Sequence, residues 1–168
     1  MVDKEIKGTM KFGGGNLMFW GCMTMQGIGY GCHIDGHMNA ELYISILNDY
    51  LLPTIKYYKM KKNKLFFQQD NDSKHTFKAA HKWLNDNKIT ILEWPPQSPD
   101  LNPIEHLWHH LKRRLANYKT EPHGILELWE HVEAEWDKIP MDVCINLIES
   151  MPRHIEALLK AKGKNTKY

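Results

Sequence analysis

The 168 residues predict an α/β domain with a helical C-terminal third. Three observations carry that prediction. Two apolar stretches meeting near Gly27 read as a β-hairpin, and strand-like and helix-like segments alternate between residues 39 and 93. From Pro103 onward, apolar residues recur only at helical spacing.

The elements follow in order. Residues 1–16 are polar and end in Gly13-Gly14-Gly15, which predicts a flexible lead-in, with the folded domain spanning 17–168. Residues 17–24 and 28–34 predict the two hairpin strands. Asn39 is suited to cap a helix running to about Leu52, with Leu42, Ile46, Leu47 and Tyr50 on one face, and Pro53 is expected to end it. Residues 64–69 predict a buried strand closing in Asp70. A short helix over about 76–85 and a strand over 89–93 come next. Pro95, Pro96 and Pro99 enforce an extended loop, because each fixes its own backbone and restricts the residue before it. Pro103 then opens a helix marked by Ile104, Leu107, Trp108, Leu111 and Leu115. Ile125, Leu128, Trp129, Val132 and Trp136 mark a second, and Val143, Leu147 and Ile148 a third. Pro152 is expected to start a last short helix, which Gly163 ends.

With 42% hydrophobic and 25% charged residues, the composition is that of an ordinary globular domain, and the length suffices for a real core. A net charge of +2 makes no case for nucleic acid by itself. The cations are nevertheless clustered: Lys56, Lys59, Lys61, Lys62 and Lys64; Lys112, Arg113 and Arg114; Lys160, Lys162, Lys164 and Lys167. Such clusters can contact phosphates, although a solvated face is the plainer reading. Cys22, Cys32 and Cys144 are an odd, scattered set. They argue against a disulfide framework and a cysteine-rich zinc site, and fit a reducing compartment. The N-terminus has no apolar signal-peptide region, and no apolar run approaches membrane-spanning length. An intracellular soluble protein is expected.

Two carboxylates stand out. Asp70 closes a buried-strand pattern, where an acid is costly without a partner, and ligands gather at strand C-termini in open α/β sheets. It also suits a plain turn with Asn71, Asp72 and Ser73. Glu105 follows Asn102-Pro103-Ile104, so the simpler local reading is a capping box with Asn102 as N-cap and Glu105 three residues on. His109 and Lys112 share the helix face of Glu105, an arrangement suited to a phosphate-bearing ligand. Two acids from a strand end and a helix start can hold a hard divalent cation through oxygen. His106 and His110 are spaced i, i+4, but no cysteine or HExxH accompanies them, so surface or partly packed histidines are expected. The triple glycine starts no phosphate loop, no Gly-x-Ser-x-Gly or cysteine–histidine pair stands out, and the six tryptophans read as core.

Taken together, the acidic stretches are more specific. Gln68-Gln-Asp-Asn-Asp-Ser-Lys-His75 and Trp94-Pro-Pro-Gln-Ser-Pro-Asp-Leu-Asn-Pro-Ile-Glu-His-Leu-Trp108 closely resemble the catalytic core of mariner-superfamily DDE transposases, in the Tc-like branch. The resemblance extends to the glycine-rich segment 13–22, to Ile34-Asp35-Gly36 and to the tail 150–168, nearly the whole chain. It implies a ribonuclease H-like fold and a DDE triad with two Mg²⁺ or Mn²⁺ ions. Asp70 and Glu105 match the second and third acids, with the branch's gap of 34 residues between them. It further implies cleavage of a transposon-end phosphodiester and attack of the freed 3′-OH on target DNA. The implied partners are transposon-end and target DNA, with a homodimer or a full-length transposase as protein partner, in the nucleus. His109, Lys112 and Arg113 are the residues expected to contact nucleic acid.

The departures shape further expectations. The chain shows no helix-turn-helix modules, Ser73 stands where the family commonly has proline, and the family's first catalytic Asp lies upstream of the triple glycine. The expected fold is thus ribonuclease H-like without its first strand, a partial catalytic domain over 17–168. Strands 17–24 and 64–69 should each lose a neighbour, giving a gap in the sheet, rearranged pairing or low stability. With two acids of three, this chain alone is expected to bind metal weakly and cut poorly or not at all. The alternatives are a non-catalytic remnant that binds DNA or a transposase, and a ribonuclease H-type nuclease.

Overall fold

The computed structural model describes residues 8–12, 15–69, 74–93 and 101–160. They fall into two compact units, residues 1–22 with 29–96 and residues 23–28 with 97–168.

β1 (Gly8–Phe12), β2 (Gly15–Thr24) and β3 (Gly27–Ile34) form a sheet in the order β1-β2-β3. The hairpin expected from residues 17–34 is present. It turns at Gly27, whose φ of 131° is open to glycine, and the Thr24 hydroxyl donates to the Gly27 carbonyl at 3.2 Å. The lead-in expected at 1–16 needs correction, because residues 8–12 pair antiparallel with β2, Gly8 opposite Phe19 and Phe12 opposite Gly15. β1 thus occupies the edge of β2 opposite β3. Leu17 and Phe19 are as deeply buried as Trp20, although they alternate along the strand, so both faces of β2 are covered. That accounts for its continuous apolar run.

Asn39 caps α1 (Ala40–Ile46) as expected, its side chain accepting from the Leu42 N–H at 2.8 Å. Pro53 does not end the helix. A π-helical turn at Leu47–Leu51 leads into α2 (Leu52–Tyr57), and the Leu52 N–H reaches back five residues to the Leu47 carbonyl. The wider turn gives the chain a way past a proline ring, and the buried Thr54 hydroxyl donates to the Tyr50 carbonyl at 2.7 Å. One face of this composite helix packs Tyr43, Ile46, Leu47, Leu51 and Ile55 against Trp20, Cys22, Cys32 and Ile34, and against Leu84 and Ile89.

β4 (Phe66–Phe67) and β5 (Thr90–Ile91) pair in parallel, joined through α3 (Lys74–Asp86). Both strands are shorter than expected from 64–69 and 89–93. Among the described residues they form a sheet separate from β1-β2-β3.

The second unit holds three helices, α4 (Pro103–Leu115), α5 (Ile125–Asp137) and α6 (Met141–Lys160), with α4 packed on both others. The expected stripe of Ile104, Leu107, Trp108, Leu111 and Leu115 is buried. Trp108 stacks on Trp136 with centroids 5.4 Å apart and 28° between planes. Pro152 lies inside α6 rather than starting a new helix. The neighbouring Ser150 hydroxyl donates to the Leu147 carbonyl at 2.7 Å. As at Pro53, the local stop signal yields to a helix held by packing. Among the described residues no helix is long and apolar enough to cross a membrane.

Candidate catalytic carboxylates

Asp70 itself lies outside the described residues, but the chain leading to it is well anchored. The Leu92 N–H donates to the Phe67 carbonyl at 2.9 Å, holding β4 to β5. Two residues on, Gln69 is buried, and its Oε1 accepts the phenol O–H of Tyr43 at 2.7 Å. Burial raises the Tyr43 pKa above its ordinary value, so the phenol stays a donor. The residue before Asp70 is thereby tied to α1.

Glu105 is half-buried in the first turn of α4, its N–H donating to the Asn102 carbonyl at 3.0 Å. The capping-box expectation fails at Asn102. This residue takes the N-cap position, but its buried side chain makes no cap hydrogen bond. One half of the structural reading of Glu105 is therefore absent. Glu105 belongs to the second unit, and Gln69, the last described residue before Asp70, to the first.

The expected nucleic-acid residues all present themselves to solvent. His109, Lys112 and Arg113 are exposed. The Glu105 carbonyl lies 2.8 Å from His109 Nδ1, and since the carbonyl can only accept, Nδ1 carries the proton. Nε2 is left to accept from, or when protonated donate to, a ligand. Arg114 behaves differently from its two basic neighbours. Its Nε donates to the buried Glu135 at 2.6 Å, and Glu135 also accepts from Lys138 at 2.9 Å and Tyr118 at 3.1 Å. Sequence reasoning missed this network. The available signal was an acid between Val132 and Trp136 in the apolar stripe of α5, where a charge needs partners.

His106 and His110, the other histidines of α4, are partly buried. His106 and His154 sit with ring centroids 5.4 Å apart, and burial followed by Arg114 and Arg113 lowers the His110 pKa. Among the described residues no three His, Cys, Asp or Glu side chains gather as metal ligands. In the tail, Lys160 is paired with Glu156 at 2.7 Å.

Residues 10–124 match the family described as DDE superfamily endonuclease, a stretch that includes both acidic motifs. Over 160 residues the chain is 41% identical to the Transposable element Tcb1 transposase of Caenorhabditis briggsae, covering 95% of this chain and 57% of that protein. It is 39% identical over 160 residues to the Transposable element Tc1 transposase of Caenorhabditis elegans, with the same coverage of 95% and 57%. The chain thus spans about half the length of the curated relatives it matches. The catalytic domain of Mos1 mariner transposase superposes with a TM-score of 0.81 at 19% identity, covering 96% of this chain and 81% of that one. A second Mos1 catalytic-domain structure, with Raltegravir and Mn, gives 0.83 at 19% identity, covering 96% and 82%. The likeness bears out the ribonuclease H-like α/β fold.

Proposed function

Since this chain belongs to the DDE superfamily endonucleases, in their Tc/mariner transposase branch, we propose that it supplies catalytic residues for metal-dependent DNA cleavage and strand transfer in transposition. The observation carrying the proposal is the family match across residues 10–124, which includes Asp70 and Glu105 together with the strings around them. Mos1 structures described as a paired end complex with Mn and a Strand Transfer Complex support the same reading by analogy.

Asp70 and Glu105 are the metal-holding pair in this proposal. Their fit is chemical: carboxylate oxygens match hard divalent cations, and Glu105 is half-buried in the first turn of a well-packed helix. Mg²⁺ or Mn²⁺, when bound, supplies activation of a hydroxyl nucleophile and stabilisation of the leaving oxygen. The protein's part is positioning. Tyr43 and Gln69 hold the strand end before Asp70, and the buried stripe of α4 fixes the turn carrying Glu105. His109, Lys112 and Arg113 line the exposed side of that helix, where cations attract a phosphate backbone and His109 Nε2 can hydrogen-bond to it. Transposon-end and target DNA are the substrates in this reading. A second transposase copy is the protein partner, and the nucleus is the site of action.

The test pairs binding with chemistry. Mn²⁺ titration followed by electron paramagnetic resonance is run on the parent chain, Asp70→Asn and Glu105→Gln, alongside cleavage of an end-labelled terminal-repeat duplex. Either substitution is expected to weaken Mn²⁺ binding at least tenfold and to abolish any metal-dependent cleavage. Unchanged Mn²⁺ affinity in both variants would overturn the assignment of these acids. DNA binding that survives both variants, but falls with Lys112→Glu and Arg113→Glu combined, would leave a non-catalytic DNA-binding role.

A further inference from the structure

The lysine-rich stretch after α2 has no part in the chemistry above, yet it builds a surface. Residues 50–69 carry five lysines and no aspartate or glutamate. Lys62 is engaged, its Nζ donating to Asn87 Oδ1 at 3.3 Å. Lys56, Lys59, Lys61 and Lys64 are exposed. Lys56 and Lys59 directly flank Tyr57 and Tyr58 in the sequence. Tyr57, near the end of α2, is 66% exposed and meets Tyr30 of β3 edge to face at 6.0 Å, and Tyr58 at 4.9 Å. Tyr30 is itself 48% exposed. A tyrosine serving only to cover the sheet would bury most of its ring, and Tyr57 does not.

Lys59 adds an independent observation. The Met60 N–H donates to the Ile55 carbonyl at 2.9 Å and the Lys59 N–H to the Lys56 carbonyl at 3.0 Å, the bonding pattern of a Schellman motif. Lys59 occupies its left-handed position, with φ of 52°, where glycine fits without strain. A lysine there complements the helix dipole and helps solubility, but the neighbouring lysines already do both. The strained position instead sets a charge beside the tyrosines.

We infer that this Tyr–Lys surface binds single-stranded DNA, the lysines meeting phosphates while Tyr57, flanked by Tyr30, stacks on an unpaired base. Lysines alone would suit a duplex equally well. The exposed ring decides between them, because a duplex hides its base faces and a single strand offers them. The inference rests on the reading that the chain works on DNA, but it uses neither Asp70 nor Glu105.

Fluorescence anisotropy with a labelled oligodeoxythymidine, and with a duplex of equal length, tests it on the full chain. The parent is expected to prefer the single strand. Tyr57→Ala should lose about tenfold in single-strand affinity while Tyr57→Phe keeps it. Lys59→Gly should weaken binding several-fold and flatten its salt dependence, yet raise the thermal midpoint, a pair of effects that a purely structural lysine would not give. Parent-like binding by both Tyr57→Ala and Lys59→Gly would overturn the inference. So would displacement of the strand by poly-glutamate with Tyr57→Ala silent, which would mark a surface for acidic protein. Duplex binding lost only on combining Lys112→Glu with Arg113→Glu, with Tyr57→Ala silent, would sink this inference and spare the functional one. Absence of all DNA binding by the parent would sink both.

Discussion

The phenol of Tyr43 and the side-chain amide of Gln69 share a buried hydrogen bond of 2.7 Å, and the next residue along the chain is Asp70. Helix α1 therefore supports the strand end that carries a proposed metal ligand. Tyr43→Phe deletes the donor and keeps the ring, taking this partner from the Gln69 oxygen inside the core. The expected loss of stability is about 1–2 kcal/mol by urea denaturation. Mn²⁺ affinity should also fall several-fold, because the strand end is less well held. A destabilised variant with parent-like Mn²⁺ affinity would restrict Tyr43 to a structural part.

Thr54 links helix to sheet in a way that tolerates little change. Its hydroxyl accepts the Tyr30 N–H at 3.0 Å while donating to the Tyr50 carbonyl at 2.7 Å beside the π-helical turn. A Cβ at Gly29 would lie 2.4 Å from Cys22 Sγ and 2.7 Å from Thr54 Cγ2, so only glycine allows the strand this close. Thr54→Val preserves shape but removes both of these bonds and the 3.8 Å one from the Cys22 thiol, and should cost about 1–3 kcal/mol. Gly29→Ala should cost at least as much, through overpacking. Gly36→Ala is the contrast: its φ is +76° but nothing lies within 4 Å, leaving a backbone penalty of about 1–2 kcal/mol. Urea midpoints of the three variants test this ordering, and a harmless Gly29→Ala would contradict it.

These same residues show what a sequence can and cannot disclose. Asn39 as a cap, the hairpin turn near Gly27 and the buried stripe from Ile104 to Leu115 were legible because each rests on local backbone or periodicity rules. Pro53 and Pro152 were misread as boundaries for a complementary reason. A proline weakens a helix locally, but the cost can be met by a π turn, a threonine hydroxyl or tertiary packing that no local pattern displays. β1 escaped notice because its observed pairing with β2 is made by backbone groups. At the candidate site, the positions of Asp70 and Glu105 came from motif and spacing. The support of Gln69 by Tyr43 joins residues 26 apart in sequence, and the capture of Arg114 by Glu135 joins residues 21 apart. Periodicity names neither partner, although the place of Glu135 in the apolar stripe of α5 marks an acid that needs one.

The three cysteines should behave as buried apolar residues. Burial pushes the thiol pKa values of Cys22 and Cys32 up to about 12 and that of Cys144 to about 11, from an ordinary 9.0. Little thiolate forms in the folded protein at neutral or mildly alkaline pH, so iodoacetamide should label none of the three until the chain unfolds. The sign of the pH dependence follows. Unfolded thiols lose protons near pH 9 while the folded ones hold theirs, so stability should fall as pH rises through that region. Labelling followed by mass spectrometry, with and without urea, checks the first statement. Rapid modification of a native thiol would refute it.

Glu135 sets the opposite limit, in acid. Its carboxylate accepts from Lys138, Arg114 and Tyr118, and these bonds, with Lys138 the largest influence, lower its pKa below the ordinary 4.5 against the contrary effect of burial. A carboxyl with a depressed folded pKa contributes stability that is complete above the unfolded value and disappears as pH falls through the folded one. Glu135→Gln keeps the shape but loses the charge, leaving Arg114 beside a neutral amide. Near neutral pH it should be less stable than the parent by about 1–3 kcal/mol. That difference should begin to shrink as pH drops below about 4.5, and nearly close once the parent's carboxyl is protonated. Urea denaturation of both proteins across the acid range is the measurement. A gap that stays constant with pH would mean that shape rather than charge holds α4 to α5 at this point.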